Sequence, residues 1–266
     1  MVTLVQFDST PTKGRLRRFF TRCFGKKVAL SGGRVAGAPY CLVTVRTENG
    51  IPWEEVEAAV GAGNRTVFER GAVLPVGLHF NRVDGEALRR KILLNGAVWI
   101  VEHAAGETAV GDVALMDRFG RFAKTVPRLM QTCRTLTVVT ANTDEYRELA
   151  ERLYATMGAA PMITDQASGA SGCVAVIAPD GLSGFGAMEK PPWLFTPDGR
   201  DGCTVTEKCV RSPFEESVLE KFDLFELLTA FHGERLFRDV GSIVPHSMVL
   251  GREILSLQQL SRRFGT

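Results

Sequence analysis

"GDVALMDRFGRFAKTVPRLM", residues 111–130, is the stretch on which the reading of this chain turns. Val113 to Asp117 make a continuous apolar run closed by an acid, as in a strand buried on both faces. Gly120 then offers a turn, and an apparent helix follows. Further along, "TLTVVT" (135–140) is a second run of buried-strand type. "TDEYRELAERLYATMG" (143–158) places Tyr146, Leu149, Ala150, Leu153 and Met157 on one helical face, with Thr143 as N-cap and Gly158 as stop. "PMITD" and "CVAVIAPDG" supply two more strands. Strands alternating with helices at this spacing predict a parallel sheet with right-handed crossovers. Only eight residues, Asp165 to Gly172, separate the last two of these strands, which is short for a helical crossover.

Toward the N-terminus the pattern is a smaller α/β unit. "YCLVTVR" (40–46) reads as a strand, and "IPWEEVEAAVG" (51–61) as a helix opened by Pro52 and ended by Gly61. "RTVFE" reads as another strand, followed by a helix over "DGEALRRKILLNG" with Asp84 as N-cap and Leu88, Ile92 and Leu93 on one side. "AVWIVE" (97–102) is then expected as a continuous apolar strand. Beyond Gly181, "GLSGFG" (181–186) reads as a loop able to cover the sheet edge, and "CTVTEKCV" as a strand. "SPFEE" puts Ser212 at a helix N-cap with Pro213 next, and Leu224, Leu227, Leu228 and Phe231 continue an apolar face. Ser256 and Gln259 near the end form a capping-box pattern.

The stretch from Val113 to Gly181 resembles a Rossmann-type nucleotide-binding half, as in NAD(P)-dependent dehydrogenases of the shikimate dehydrogenase sort. The chain as a whole resembles bacterial proteins built on a Rossmann-like core. The resemblance implies an α/β fold: a Rossmann-like parallel sheet unit over 106–266 with C-terminal helices packing back, preceded by a smaller α/β unit over 1–105. It also implies a site for NAD or NADP, and there the residues depart from the pattern. The spacing G-x-G-x-x-G lets the backbone approach a pyrophosphate. Laid on this chain, it finds Asp117, Phe119 and Phe122 at the three glycine positions, with Gly120 offset by one. A carboxylate would repel the diphosphate, and two phenylalanines would block close backbone approach. Pro127 is expected to interrupt the following helix and to disfavour helical geometry at Val126. The second strand ends in Thr140, Ala141 and Asn142 rather than in the acid that holds ribose hydroxyls.

The expected site lies instead at the C-terminal edge of the sheet. Asp117, Asp165 and Asp180 each stand at or just beyond the end of a strand, and Thr140 ends another. In open parallel sheets ligands bind along that edge. Several carboxylates there suit magnesium ligation or acid–base work; against this, Asp before Gly at 180–181 is a normal turn signal and Asp at strand ends is common in loops. Arg118, Arg121, Lys124, Arg128 and Arg134 follow Asp117 with no acid before Asp144. Arginines can hold a phosphate or carboxylate where backbone amides cannot. The expected ligand is a small anionic or nucleotide-like molecule bound by Asp117, Arg118, Gly120, Arg121, Thr140, Asn142, Asp165 and Asp180. An NAD(P)-dependent oxidoreductase with an aberrant turn is the alternative.

Composition narrows the rest. Hydrophobic residues make up 45% and charged residues 23%, the balance of a globular domain. No stretch approaches the ~18 consecutive apolar residues of a membrane span. "MVTLVQFDST" has neither the basic start nor the apolar centre of a secretory signal, so a cytoplasmic protein with no membrane partner is expected. The six cysteines are scattered, and Cys203 and Cys209 have no histidine nearby, so all six read as reduced structural thiols. The four histidines lack metal-ligand spacing. There is no G-x-S-x-G, no P-loop and no H-E-x-x-H. Net charge is +2, yet residues 9–47 hold nine basic residues and no acid. Such a segment suits nucleic acid or an anionic surface. Leu16, Phe19, Phe20, Cys23 and Phe24 at helical spacing favour the other reading, the wet side of a packed helix. Self-association stays open.

Overall fold

The computed structural model describes residues 1–9, 27–35, 37–48, 50–104, 110–183, 185, 190–199, 202–233 and 243–265. Residues 10–26, the centre of the basic segment and of its expected helix, lie outside the described residues. The chain divides into two compact units, Met1–Glu86 with Ser212–Arg235, and Ala87–Arg211 with Leu236–Thr266.

In the first unit β1 (Val2–Asp8), β2 (Val28–Val35), β3 (Ala38–Arg46), β4 (Arg65–Phe68) and β5 (Asn81–Arg82) form a sheet in the order β2-β3-β1-β4-β5. Central β1 runs parallel to β3 and β4, and its residues Val2 to Val5 are buried as a central strand requires. Helix α1 (Trp53–Val60) lays Val56 and Val60 on Val5, Val43 and Val45, and ends at Gly61 in a positive φ of 77°.

The second unit holds α2 (Glu86–Ala104, from Ala87 on), β6 (Val110–Met116), α3 (Val126–Met130), β7 (Cys133–Val139), α4 (Thr143–Met157), β8 (Met162–Thr164), β9 (Ala175–Ile177), β10 (Trp193–Phe195) and β11 (Cys203–Thr204). Helices α5 (Glu216–Leu219) and α6 (Leu224–His232) belong to the first unit. The second unit closes with β12 (Ser247–Leu250), β13 (Glu253–Ser256) and α7 (Leu257–Phe264). Its sheet runs β13-β12-β11-β10-β9-β6-β7-β8, and β6 to β11 are all parallel. Numbering those six strands along the chain gives the spatial order 3-2-1-4-5-6, that of a doubly wound nucleotide-binding sheet. The fold is therefore α/β and Rossmann-like. Successive connections leave in opposite directions from β6 and β9, so the C-terminal ends of these two neighbours open the crevice at the switch point.

Several local expectations are corrected. "AVWIVE" (97–102) is not a strand but the second half of α2, which runs unbroken through Asn95 and Gly96. The helix is buried nearly all round between Ile92 and Val101, so no amphipathic period marks it. The Asn-Gly pair that reads as a stop is a packing notch. Asn95 Nδ2 donates to the carbonyl of Ile243 at 2.8 Å, and a Cβ on Gly96 would sit 2.9 Å from both Met248 Sδ and Pro245 Cγ. The short connection from β8 to β9 replaces a crossover helix with a tight turn over Ala167–Ala170. Small residues let it lie directly on the sheet: Ala167 and Ala170 pack with Ala114, Met116 and Val139. A Cβ on Gly169 would meet Thr164 Cγ2 at 2.5 Å.

After β6 there is a turn over Ala123–Thr125 and the five-residue α3, rather than one helix. Val126 is helical (φ −55°, ψ −47°) despite preceding Pro127, which sits in the first turn where its missing N–H leaves no bond unmade. "CTVTEKCV" is strand only at Cys203–Thr204. Ser212 does not cap a helix; its hydroxyl accepts from the Phe214 amide in a turn, and Asp223 caps α6. Asn142, not Thr143, stands at the N-cap of α4. The capping box of Ser256 and Gln259 forms as expected.

Candidate functional site

The turn after β6 is built around one carboxylate. Asp117 is fully buried and accepts three hydrogen bonds: from the Arg121 amide at 3.0 Å, the Phe122 amide at 2.6 Å and Tyr146 Oη at 2.6 Å. Tyr146 comes from the apolar face of α4 and is itself fully buried. Burial, then the charge of Asp117 and the bond to it, push the phenol far above its usual range, so Tyr146 stays a donor. Thus the chain's own anion occupies the amides that would otherwise face a bound phosphate. An NAD or NADP diphosphate gripped by main-chain nitrogens does not fit this turn.

Gly120 follows at φ +74°, where a Cβ would stand 2.6 Å from Glu145 Oε2 and 2.7 Å from Asn142 Nδ2. Its glycine is thus required by the path of the turn. Asn142 donates to Glu145 at 2.9 Å, and its amide donates to the buried Thr140 hydroxyl at 3.0 Å. Gly120, Thr140 and Asn142 therefore shape the loops of this edge. Arg118 lies by the exposed Phe119 ring, 5.6 Å from its centroid, with Arg121 at 4.7 Å. Asp165 is exposed, accepts from Gln166 Nε2 at 3.1 Å, and follows β8. With β7 and β6 between, β8 is roughly 14 Å from β9 across three strand spacings. The carboxylates do not converge as magnesium ligands. Among the described residues no group of three His, Cys, Asp or Glu could hold a metal ion.

Arg121 and Asp180, by contrast, meet at the switch point. They line a pocket of about 230 Å³ together with Phe122, Lys124 and Thr125 from the same turn and Ala87, Arg90, Lys91, Leu94 and Asn95 from α2. The α2 residues recur at i, i+3, i+4, i+7 and i+8, one face of the helix. Asp180 Oδ1 lies 3.3 Å from Arg90 Nη1 and 3.7 Å from Arg121 Nη1. Its side chain is only 8% exposed, and neither oxygen accepts a hydrogen bond from the described residues. Burial raises the Asp180 carboxyl; Arg90 and Arg121 offset this in part, and nearby Asp117 adds to it.

Arg90 and Lys91 are not among the expected site residues. The helical spacing itself is their signal, and it lies wholly within the helix expected over 84–96; what the local pattern lacks is that this face meets the turn after β6 and Asp180. Two later arginines of the run have structural partners: Arg128 grips Glu102 through two bonds of 2.9 and 2.7 Å, and Arg134 grips Asp112 through bonds of 3.1 and 2.8 Å.

No protein-family model, curated protein or solved structure matches this chain. Among the described residues, no helix is long and apolar enough to cross a membrane.

Proposed function

We propose that the protein binds a small anionic molecule, nucleotide-like in its phosphate group, in the pocket at the switch point of its parallel sheet. The observation that carries this reading is the convergence of Arg90, Arg121 and Lys124 on one crevice, which Lys91 also lines and in which Asp180 is the single acid among the described lining residues; three positive charges less one negative leave a surplus of +2 before Lys91 is counted. Low-dielectric walls beside such a surplus focus its field on an entering anion. The grip comes from side chains, since Asp117 holds the turn's amides. The pocket volume lies below the ~300–1,000 Å³ of sites for drug-sized ligands, which favours a compact ligand over a dinucleotide.

Thermal unfolding of the full chain with millimolar inorganic phosphate and phosphate monoesters tests the reading. A ligand that binds the folded state raises the melting temperature, by an amount that grows with the logarithm of its concentration relative to its dissociation constant. The rise is expected in the wild type and in R118A, whose residue is outside the pocket lining, and to vanish in the R121A/K124A double variant. An equal rise in that double variant, or none in the wild type, would overturn it.

A further inference from the structure

The pocket has two chemical demands, and the cations satisfy only one of them. The other is Asp180. Its carboxylate is more than nine-tenths buried and faces the pocket, yet neither oxygen accepts a hydrogen bond from the described residues. The flanking guanidinium nitrogens stand at 3.3 and 3.7 Å, close enough to attract but without hydrogen-bond geometry. A buried acceptor left in that state is destabilising, and a ligand bringing donors removes the deficit. Those donors are not ammonium groups, because four cations line the same walls and would repel a fifth. Neutral hydroxyls meet the requirement: two adjacent O–H groups can each donate to one carboxylate oxygen.

The anionic end is constrained as well. A +2 surplus from Arg90, Arg121 and Lys124 against Asp180 matches a phosphate monoester dianion better than a singly charged carboxylate. In size, about 230 Å³ falls below the ~300–1,000 Å³ of sites for drug-sized ligands, which suits a few carbons and a phosphate better than a base, two riboses and a diphosphate. We infer that the ligand is a small polyol or sugar phosphate whose adjacent hydroxyls donate to Asp180 while its phosphate lies among Arg121, Lys124, Arg90 and Lys91. This rests on the anion-binding reading above and adds to it the second half of the ligand.

Calorimetric titration of the full chain with glycerol 3-phosphate and with n-propyl phosphate isolates the hydroxyls, since the two share a three-carbon phosphate ester and differ in the diol. The wild type is expected to bind glycerol 3-phosphate at least about tenfold more tightly, because the analogue leaves both Asp180 oxygens without a donated hydrogen bond. In D180A, with folding checked by its melting curve, propyl phosphate still binds and the preference falls to about twofold or less. Equal affinity in the wild type overturns the hydroxyl assignment while leaving anion binding intact, and needs no variant. A preference surviving in D180A overturns it too. If the wild type binds neither ester, the anion site and this inference fall together.

Discussion

Replacing Asp117 by alanine asks whether this carboxylate stands where a phosphate would otherwise sit. The substitution removes the acceptor of three hydrogen bonds, from two amides and a phenol, at a fully buried position. Bonds to a charged acceptor contribute roughly 1.5–3 kcal/mol each, so three would total about 4.5–9 kcal/mol. Two effects reduce that sum: the burial cost of the charge disappears with it, and water entering the space re-satisfies part of what is lost. A net loss of about 3–5 kcal/mol is expected, as for other broken buried ionic contacts. Tyr146→Phe removes one of the three donors and is expected to cost about 1.5–3 kcal/mol.

Urea unfolding read by Trp99 and Trp193, in a Trp53→Phe background that silences the first unit, measures both variants. Formate adds the discriminating arm. In D117A it can take up the two vacated amides, and at ten times its dissociation constant it would restore about 1.4 kcal/mol. The reasoning is refuted if D117A unfolds within about 1 kcal/mol of wild type, or if formate stabilises the variant no more than the wild type.

Asp180→Asn addresses the cost of the site. A carboxyl raised above its ordinary 3.8 favours the fold when protonated, and that contribution is lost as pH rises from 3.8 through the higher folded-state value. Unfolding midpoints between about pH 4 and 7 should therefore show D180N gaining on wild type with rising pH and levelling off above the folded value; a constant or shrinking difference contradicts the sign. Among the described cysteines, burial pushes Cys203 up to about 12 and Cys133 up to about 11, so the reactive thiolate is scarce at both. Mass mapping after mild alkylation of the folded protein should find label at half-buried Cys41 well before these two, and equal labelling would contradict their burial. Gly120→Ala should cost about 1–2 kcal/mol, since an L-residue is strained at φ +74°. Removing the crowding Glu145 side chain in the same background should recover little of this, as the strain is in the backbone. Full recovery would locate the cost in the side-chain contact instead.

Neighbours along the chain settle part of this fold without help from packing at a distance. Val113 to Met116 and Leu136 to Val139 are strands because continuous β-prone apolar runs suit a sheet covered on both faces. Helix α4 is legible through its one-sided apolar face and Gly158, and α7 through its capping box. The missing glycines at 117, 119 and 122 are equally plain, and with them the loss of the usual phosphate grip. Other features exist only once the chain has folded on itself. Burial on every side erases the period that would have identified α2, and an Asn-Gly pair that reads as a stop becomes a notch for Pro245 and Met248. Asp117 is legible as an acid at a strand end, but not as the acceptor of Tyr146, which arrives from another element. Arg90 and Asp180 meet only because the strand order sets β9 beside β6. Local pattern records which face of an element is apolar; which charged groups from distant parts of the chain share a crevice depends on how the strands are ordered, and no short-range preference encodes that.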